Sequence, residues 1–252
     1  MHPILFKAGP ITIYTYGVLV FLGVIITYWL CLKEAAKEKI DKEVFSHIFF
    51  WAIIFGFLGA RLLYIVLEWR LFLEEPLSFI FSRSGFVFYG GLISGISALW
   101  FLVKKFKLHF LKITDILAFY LPLGHFFGRL GCFSYGCCYG KPTNSWIGIK
   151  FPPNSPAGLL GTKVIPTQLI EAFSLLIIFF ILQYSKKKKK FNGQITIVYL
   201  TLYSIFRFFI EFFRGDYRGG IGIFSTSQII SIITILIVSI LLYQINTKTI
   251  NR

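Results

Sequence analysis

Apolar residues in this chain do not alternate with polar ones at the period of a strand or an amphipathic helix. They run almost unbroken for about 20 residues at a time. These runs predict helices over 12–32, 46–68, 84–103, 113–132, 166–185, 195–213 and 225–244. At about 1.5 Å per residue, each is long enough to cross the roughly 30 Å hydrocarbon core of a bilayer. Seven crossings put the two termini on opposite sides. The first run, Thr12 to Leu32, lacks an early basic region and a small-residue cleavage site, and reads as a retained helix. Residues 133–165, which carry Gly, Pro, Asn and Ser, predict an extracytoplasmic loop or small lid. The expected fold class is therefore an all-α membrane protein of seven transmembrane helices, a single polytopic domain over 1–252.

Composition closes off the alternatives. Hydrophobic residues make up 56% of the chain and charged ones 15%, against about 25% charged in an ordinary soluble domain. The mean hydropathy is +0.73. A soluble fold of this length cannot hide that much apolar surface, and disorder, a coiled coil and a disulfide-stapled secreted domain fail on the same ground. The net charge of +15 would suggest nucleic acid in a soluble protein. Here its placement is a topology signal. Lys33, Lys37, Lys39 and Lys42, then Lys104, Lys105, Lys107 and Lys112, then Lys186 to Lys190, then Lys248 and Arg252 all fall on one side. The other side has Lys7, Arg70, Arg83, Lys141, Lys150, Lys163, Arg214 and Arg218, about half as many. The N-terminus is expected outside and the C-terminus in the cytoplasm, with no nucleic-acid partner.

Six ionisable residues fall at membrane depth: Arg61, Asp115, Arg129, Glu171, Arg207 and Glu211. Each costs a few kcal/mol or more against lipid, so each is expected to face the bundle interior and mark function. Structural ion pairing between helices is the plain alternative. In the expected topology Arg129, Glu171, Arg207 and Glu211 lie near the outer ends of their helices. Tyr14, Tyr16, Tyr89, Gly90 and Gly91 share that level, Arg61 is somewhat deeper, and only Asp115 is near the cytoplasm. A guanidinium offers a rigid fork of donors matched to phosphate oxygens, so several of them there suit a phospholipid head group.

Residues 128–140 read Gly-Arg-Leu-Gly-Cys-Phe-Ser-Tyr-Gly-Cys-Cys-Tyr-Gly. This block resembles the signature G-R-x-G-N-F-x-N-G-E-x-x-G of the prolipoprotein diacylglyceryl transferase family of bacterial inner membranes. The resemblance continues through Tyr16-Gly17, Gly59-Ala60-Arg61-Leu62-Leu63-Tyr64 and Phe88-Tyr89-Gly90-Gly91-Leu92-Ile93. It extends through Asp115, Pro166-Thr167-Gln168-Leu169-Ile170-Glu171, and Arg207-Phe208-Phe209-Ile210-Glu211-Phe212-Phe213-Arg214. It implies transfer of the diacylglyceryl group of phosphatidylglycerol to the thiol of a prolipoprotein lipobox cysteine. A thioether forms and glycerol phosphate leaves, in a multi-pass inner-membrane enzyme that needs no cofactor or metal. The implied catalytic residues are Arg129, Arg207, Tyr89 and Glu211. The implied substrate-binding residues are Tyr16, Arg61, Gly90, Gly91, Asp115, Gly140, Glu171 and Arg214.

The chain departs from the signature at chemically relevant points. Tyr89 stands at the family's histidine, Cys132 and Tyr135 at its two asparagines, and Cys137 at its glutamate. Since the thiolate is the nucleophile, the group that takes its proton is left unassigned, with His125 one turn before Arg129 as a substitute base or a hydrogen-bonded core residue. For Cys132, Cys137 and Cys138 four readings stay open: close packing, a disulfide, metal binding without the usual C-x-x-C spacing, or a redox-active role. Two other function classes also use these features, a membrane thiol oxidoreductase and an anion transporter.

Overall fold

A computed structural model describes residues 3–9, 11–81, 85–216 and 219–250. Arg83, Arg218 and Arg252 of the charge asymmetry lie outside the described residues. The chain begins with an antiparallel hairpin of β1 (Ile4–Ala8) and β2 (Ile11–Tyr14), followed by helix α1 (Thr15–Lys37). Helix α2 (Lys42–Leu67) leads through two short helices, α3 (Trp69–Glu74) and α4 (Pro76–Phe81), to α5 (Phe88–Lys105) and α6 (Phe110–Tyr135). A hairpin of β3 (Ile149–Lys150) and β4 (Lys163–Val164) precedes α7 (Thr167–Lys187) and α8 (Gln194–Glu211). A last hairpin, β5 (Gly220–Ile221) with β6 (Phe224–Ser225), opens α9 (Thr226–Ile250).

Every apolar run that predicted a helix is a helix, with ends shifted by a few residues. Helix α2 starts at Lys42 because Asp41 caps it: its Oδ1 accepts from the backbone N–H groups of Glu43 (2.8 Å) and Val44 (3.0 Å), two of the donors a helix start leaves unpaired. Among the described residues, six helices are long and apolar enough to cross a membrane: α1, α2, α6, α7, α8 and Thr226–Ile245 of α9. Helix α5 is not among them, since its 18 residues include Gly90, Gly91, Gly95, Lys104 and Lys105. The protein is thus a multi-pass, mostly helical membrane protein. Phe21, Phe57, Phe173, Phe180, Phe209 and Leu236 are exposed, as side chains that meet lipid are.

The chain divides into two compact units, residues 31–113 and residues 1–30 with 114–252. In the first, α2 and α5 approach so closely that side chains are excluded. A Cβ on Gly90 would lie 2.4 Å from the Gly59 carbonyl oxygen, and one on Gly91 2.9 Å from that of Gly56. Such small-residue seams replace the hydrophobic drive that lipid removes. Ser94 adds a polar tie, donating to the Phe55 carbonyl at 2.8 Å. In the second unit α1 meets α6 the same way: a Cβ on Gly23 would lie 2.8 Å from the Gly124 carbonyl oxygen. Helix α8 packs between α7 and α9.

The segment after α6 is more than a loop. Phe151, Ala157 and Val164 are buried together, with Phe133, Tyr139 and Ile149 packed on them. Helix α6 continues to Tyr135 and contributes Phe133 to this cluster. Gly136, at φ +83°, then ends the helix in the left-handed conformation that glycine adopts freely.

Candidate active site

Helices α6, α7 and α8 bring four charged side chains into one buried row. Arg129 of α6 meets Glu171 of α7, Nη2 to Oε1 at 2.6 Å. The other oxygen of Glu171 is 3.9 Å from Nη1 of Arg207 on α8. Arg207 in turn pairs through Nη2 with Oε2 of Glu211 at 2.6 Å, one turn on in the same helix. Ser227, at the start of α9, accepts a 2.9 Å hydrogen bond from Arg207 Nη2. All four charged side chains are almost fully buried. Two cations and two anions alternate, so the row is neutral overall. This alternation offsets part of the cost of taking charges out of water.

The row is not saturated. Nε of Arg129 has no hydrogen-bond partner among the described residues. A buried donor without a partner costs about 1–3 kcal/mol, so it favours a ligand that brings an acceptor. Tyr203 of α8 meets the Arg129 guanidinium, stacks on Tyr199 at a ring spacing of 5.8 Å and lies 5.4 Å from the His125 ring. Sequence reasoning missed Tyr203 and Ser227 because uncharged polar residues are ordinary in membrane spans. The one available signal was spacing, since Tyr203 precedes Arg207 by one turn and shares its face.

Arg214 lies just past α8 and is held from both sides. Its Nη2 donates to Oδ2 of Asp216 at 2.6 Å, and its backbone bridges to Gly140. Lys141 N–H donates to the Phe213 carbonyl (2.8 Å) and Gly215 N–H to that of Tyr139 (3.1 Å). Gly140 fits only without a side chain: a Cβ there would lie 2.7 Å from both the Ile165 and Phe213 carbonyl oxygens. Tyr16 opens α1 and packs its ring against Gly131.

Asp115 is placed differently. It lies 14 residues before Arg129 on α6, about 21 Å along the helix. Its buried carboxylate caps α8, accepting from Gly193 N–H (2.8 Å), Thr196 N–H (2.9 Å) and Thr196 Oγ1 (2.9 Å). Lys189 completes the set at 3.0 Å. Arg61, Tyr89, Gly90 and Gly91 belong to the other unit. Arg61 donates from Nη1 to the Gly85 carbonyl at 2.9 Å and lies over the rings of Tyr64 and Phe86. Tyr89 pairs edge-on with Phe88, and the two glycines are spent on the α2–α5 seam.

The three cysteines around the end of α6 converge, Cys132 on its last turn and Cys137 and Cys138 just past it. Their Sγ atoms lie within 4.8 Å of one another, and none is joined in a disulfide. The turn at Gly136 folds Cys137 back, so that its N–H donates to the Cys132 carbonyl at 3.2 Å. Cys138 takes a left-handed φ of +62°, unusual for a residue with a Cβ. Helix α7 secures the turn: Thr167 Oγ1 donates to the Cys138 carbonyl (2.8 Å) and Gln168 Nε2 to that of Cys137 (2.7 Å). Hydrogen bonds with Cys132 and Cys138 push the Cys137 thiol well above the ordinary range. The cluster is within electrostatic reach of both Arg129 and Tyr16.

Fold and site together define a class: a multi-pass helical membrane protein with a neutral arginine–carboxylate row buried among its spans. A model of the prolipoprotein diacylglyceryl transferase family matches residues 3–244. The chain is 39% identical over 249 residues to a phosphatidylglycerol–prolipoprotein diacylglyceryl transferase 2 of Clostridium perfringens, covering 98% of this chain and 96% of that one. It is 37% identical to the phosphatidylglycerol–prolipoprotein diacylglyceryl transferase of Clostridium tetani, covering 94% and 95%. A protein of the same name from Rickettsia conorii is 32% identical, with 98% of both covered. The chain belongs to the prolipoprotein diacylglyceryl transferase family.

Proposed function

We propose that this protein transfers the diacylglyceryl group of phosphatidylglycerol to a cysteine thiol of a prolipoprotein, forming a thioether and releasing glycerol phosphate. The observation that carries this for the chain's own residues is the row Arg129–Glu171–Arg207–Glu211, with an unpartnered Arg129 donor, in a protein of this family. Attack of sulfur on a glycerol carbon leaves negative charge on the departing phosphate. Fixed guanidinium donors in a water-poor site stabilise such charge, at about 2.7–4 kcal/mol per donor removed.

Arg129 and Arg207 grip the phosphate, and Glu171 and Glu211 hold them in place. Tyr16 and Tyr89 contact the head group or the incoming thiol, with Arg61 and Arg214 as further anion-binding groups. Asp115, Gly90, Gly91 and Gly140 serve substrate binding through the helices and loop they fix. The lipobox segment of the precursor is the acceptor, and nucleic acid plays no part. Helix α5, about 27 Å long, is the seventh span, with Lys104 and Lys105 reaching out of the bilayer at its end. The N-terminus is outside and the C-terminus in the cytoplasm of a bacterial inner membrane. Residues 133–165 form an outer lid of a single membrane-embedded domain.

The experiment is direct. Purified protein, phosphatidylglycerol and a lipobox peptide should yield a peptide heavier by one diacylglyceryl unit, and Arg129→Ala and Arg207→Ala should abolish the gain. Absence of the gain with the unsubstituted protein overturns the activity. Its persistence in both variants overturns the site.

A further inference from the structure

Three thiols lie within 4.8 Å of one another, one on the last turn of α6 and two on the turn that follows, and an explanation should use all three. A disulfide takes two sulfurs at about 2.05 Å and leaves the third over. Metal–thiolate bonds of about 2.3 Å put three sulfurs on one ion at mutual distances a little under 4 Å, which small side-chain rotations reach from here. The backbone is already committed to that convergence. Gly136 and Cys138 both take positive φ, and the fully buried Thr167 and Gln168 clamp the carbonyls of Cys138 and Cys137. The cysteines themselves are half-buried, so an ion and a further ligand can reach them.

We infer that Cys132, Cys137 and Cys138 form a three-thiolate site for a zinc-type cation whose open fourth position takes the thiol of the acceptor cysteine. Three protein ligands with a vacant fourth position are the pattern of catalytic rather than structural zinc, and a thiol bound to such an ion gives up its proton. The inference rests on the transferase reading and supplies what that reading leaves unassigned, a way to make the acceptor nucleophilic. Loading the site releases three protons from the three cysteines to solvent. The acceptor thiol binds and releases one more. Its sulfur then attacks the diacylglyceryl carbon that carries the phosphate, a C–S bond forms, and the bond from that carbon to the phosphate ester oxygen breaks. The electron pair leaves on glycerol phosphate, which departs toward the neighbouring Arg129. The metal keeps its oxidation state throughout.

The test uses the full-length protein in detergent, reduced and loaded with Zn²⁺ or Co²⁺. About one metal per chain is expected, with Cys132→Ser and Cys137→Ser each weakening binding by at least about 100-fold. The cobalt form should show sulfur-to-metal charge-transfer absorption that changes on adding a lipobox peptide and not its serine counterpart. Stoichiometric binding equal in wild type and variants, no binding at all, or a cobalt spectrum indifferent to the cysteine peptide overturns the inference. If a variant fails to fold, the peptide response of the unsubstituted cobalt protein decides alone. Transfer that continues at full rate in chelated, metal-free protein sinks the metal site and leaves the transferase reading standing. Metal binding with the peptide response, but with no diacylglyceryl gain, does the reverse.

Discussion

Glu171 answers to two arginines on different helices, at 2.6 Å from Arg129 and 3.9 Å from Arg207. Replacing it by alanine leaves two buried cations facing each other, and removing one partner from a buried pair costs about 3–5 kcal/mol. Glu171→Ala should therefore lower the thermal midpoint in detergent markedly, whereas Glu171→Gln, which keeps a hydrogen-bond acceptor, should recover part of the loss. Tyr203 meets the Arg129 guanidinium, and with Arg129 gripping the phosphate as proposed, it would act on turnover as a positioning residue. Tyr203→Phe should lower kcat/KM roughly 10-fold, the worth of one hydrogen bond to a charged group, with little change in stability. Charged residues of the row were legible in the sequence because a charge in a span is costly and needs a reason. Tyr203 and Ser227 were not, since hydroxyl groups satisfy themselves within a helix at little cost.

The same contrast holds for elements. The long apolar runs yielded the helices, and their ends moved by a few residues, at α2 because Asp41 caps it and at α1 because Ile11–Tyr14 pair as a strand. Short pieces escaped because two-residue strands and single-turn helices have no periodicity to read: the hairpins around β3–β4 and β5–β6, and helices α3 and α4. Asp115 shows what a residue's level in a span conveys and what it does not. Its separation from the arginines was readable, but its partners come from a different helix 78 to 81 residues away. Asp115→Ala removes a cap and an ion pair, and about 2 kcal/mol of stability should go with it. The expected signature is a lower unfolding midpoint in detergent. On the α2–α5 seam, Gly90→Ala pushes a methyl group to 2.4 Å from the Gly59 carbonyl oxygen. A cost of about 1–3 kcal/mol follows, visible as a lower midpoint, while Gly17→Ala, with open space around it, should be neutral.

For the whole molecule, the lysine-rich turn from Lys186 to Lys190 and the proposed seventh span make the orientation testable. A fluorescent protein fused after Arg252 should fluoresce, and alkaline phosphatase fused at the same place should stay inactive. The opposite pair of results would reverse the topology. The buried row also bears on selectivity. With its counter-ions built in, the resting centre presents no surplus field to draw chloride or sulfate from the surrounding electrolyte. A visitor must offer acceptor atoms in the right places, and merely carrying negative charge is not enough. Turnover should accordingly be almost indifferent to added simple salts, unlike that of an enzyme whose anion pocket stands empty and bare.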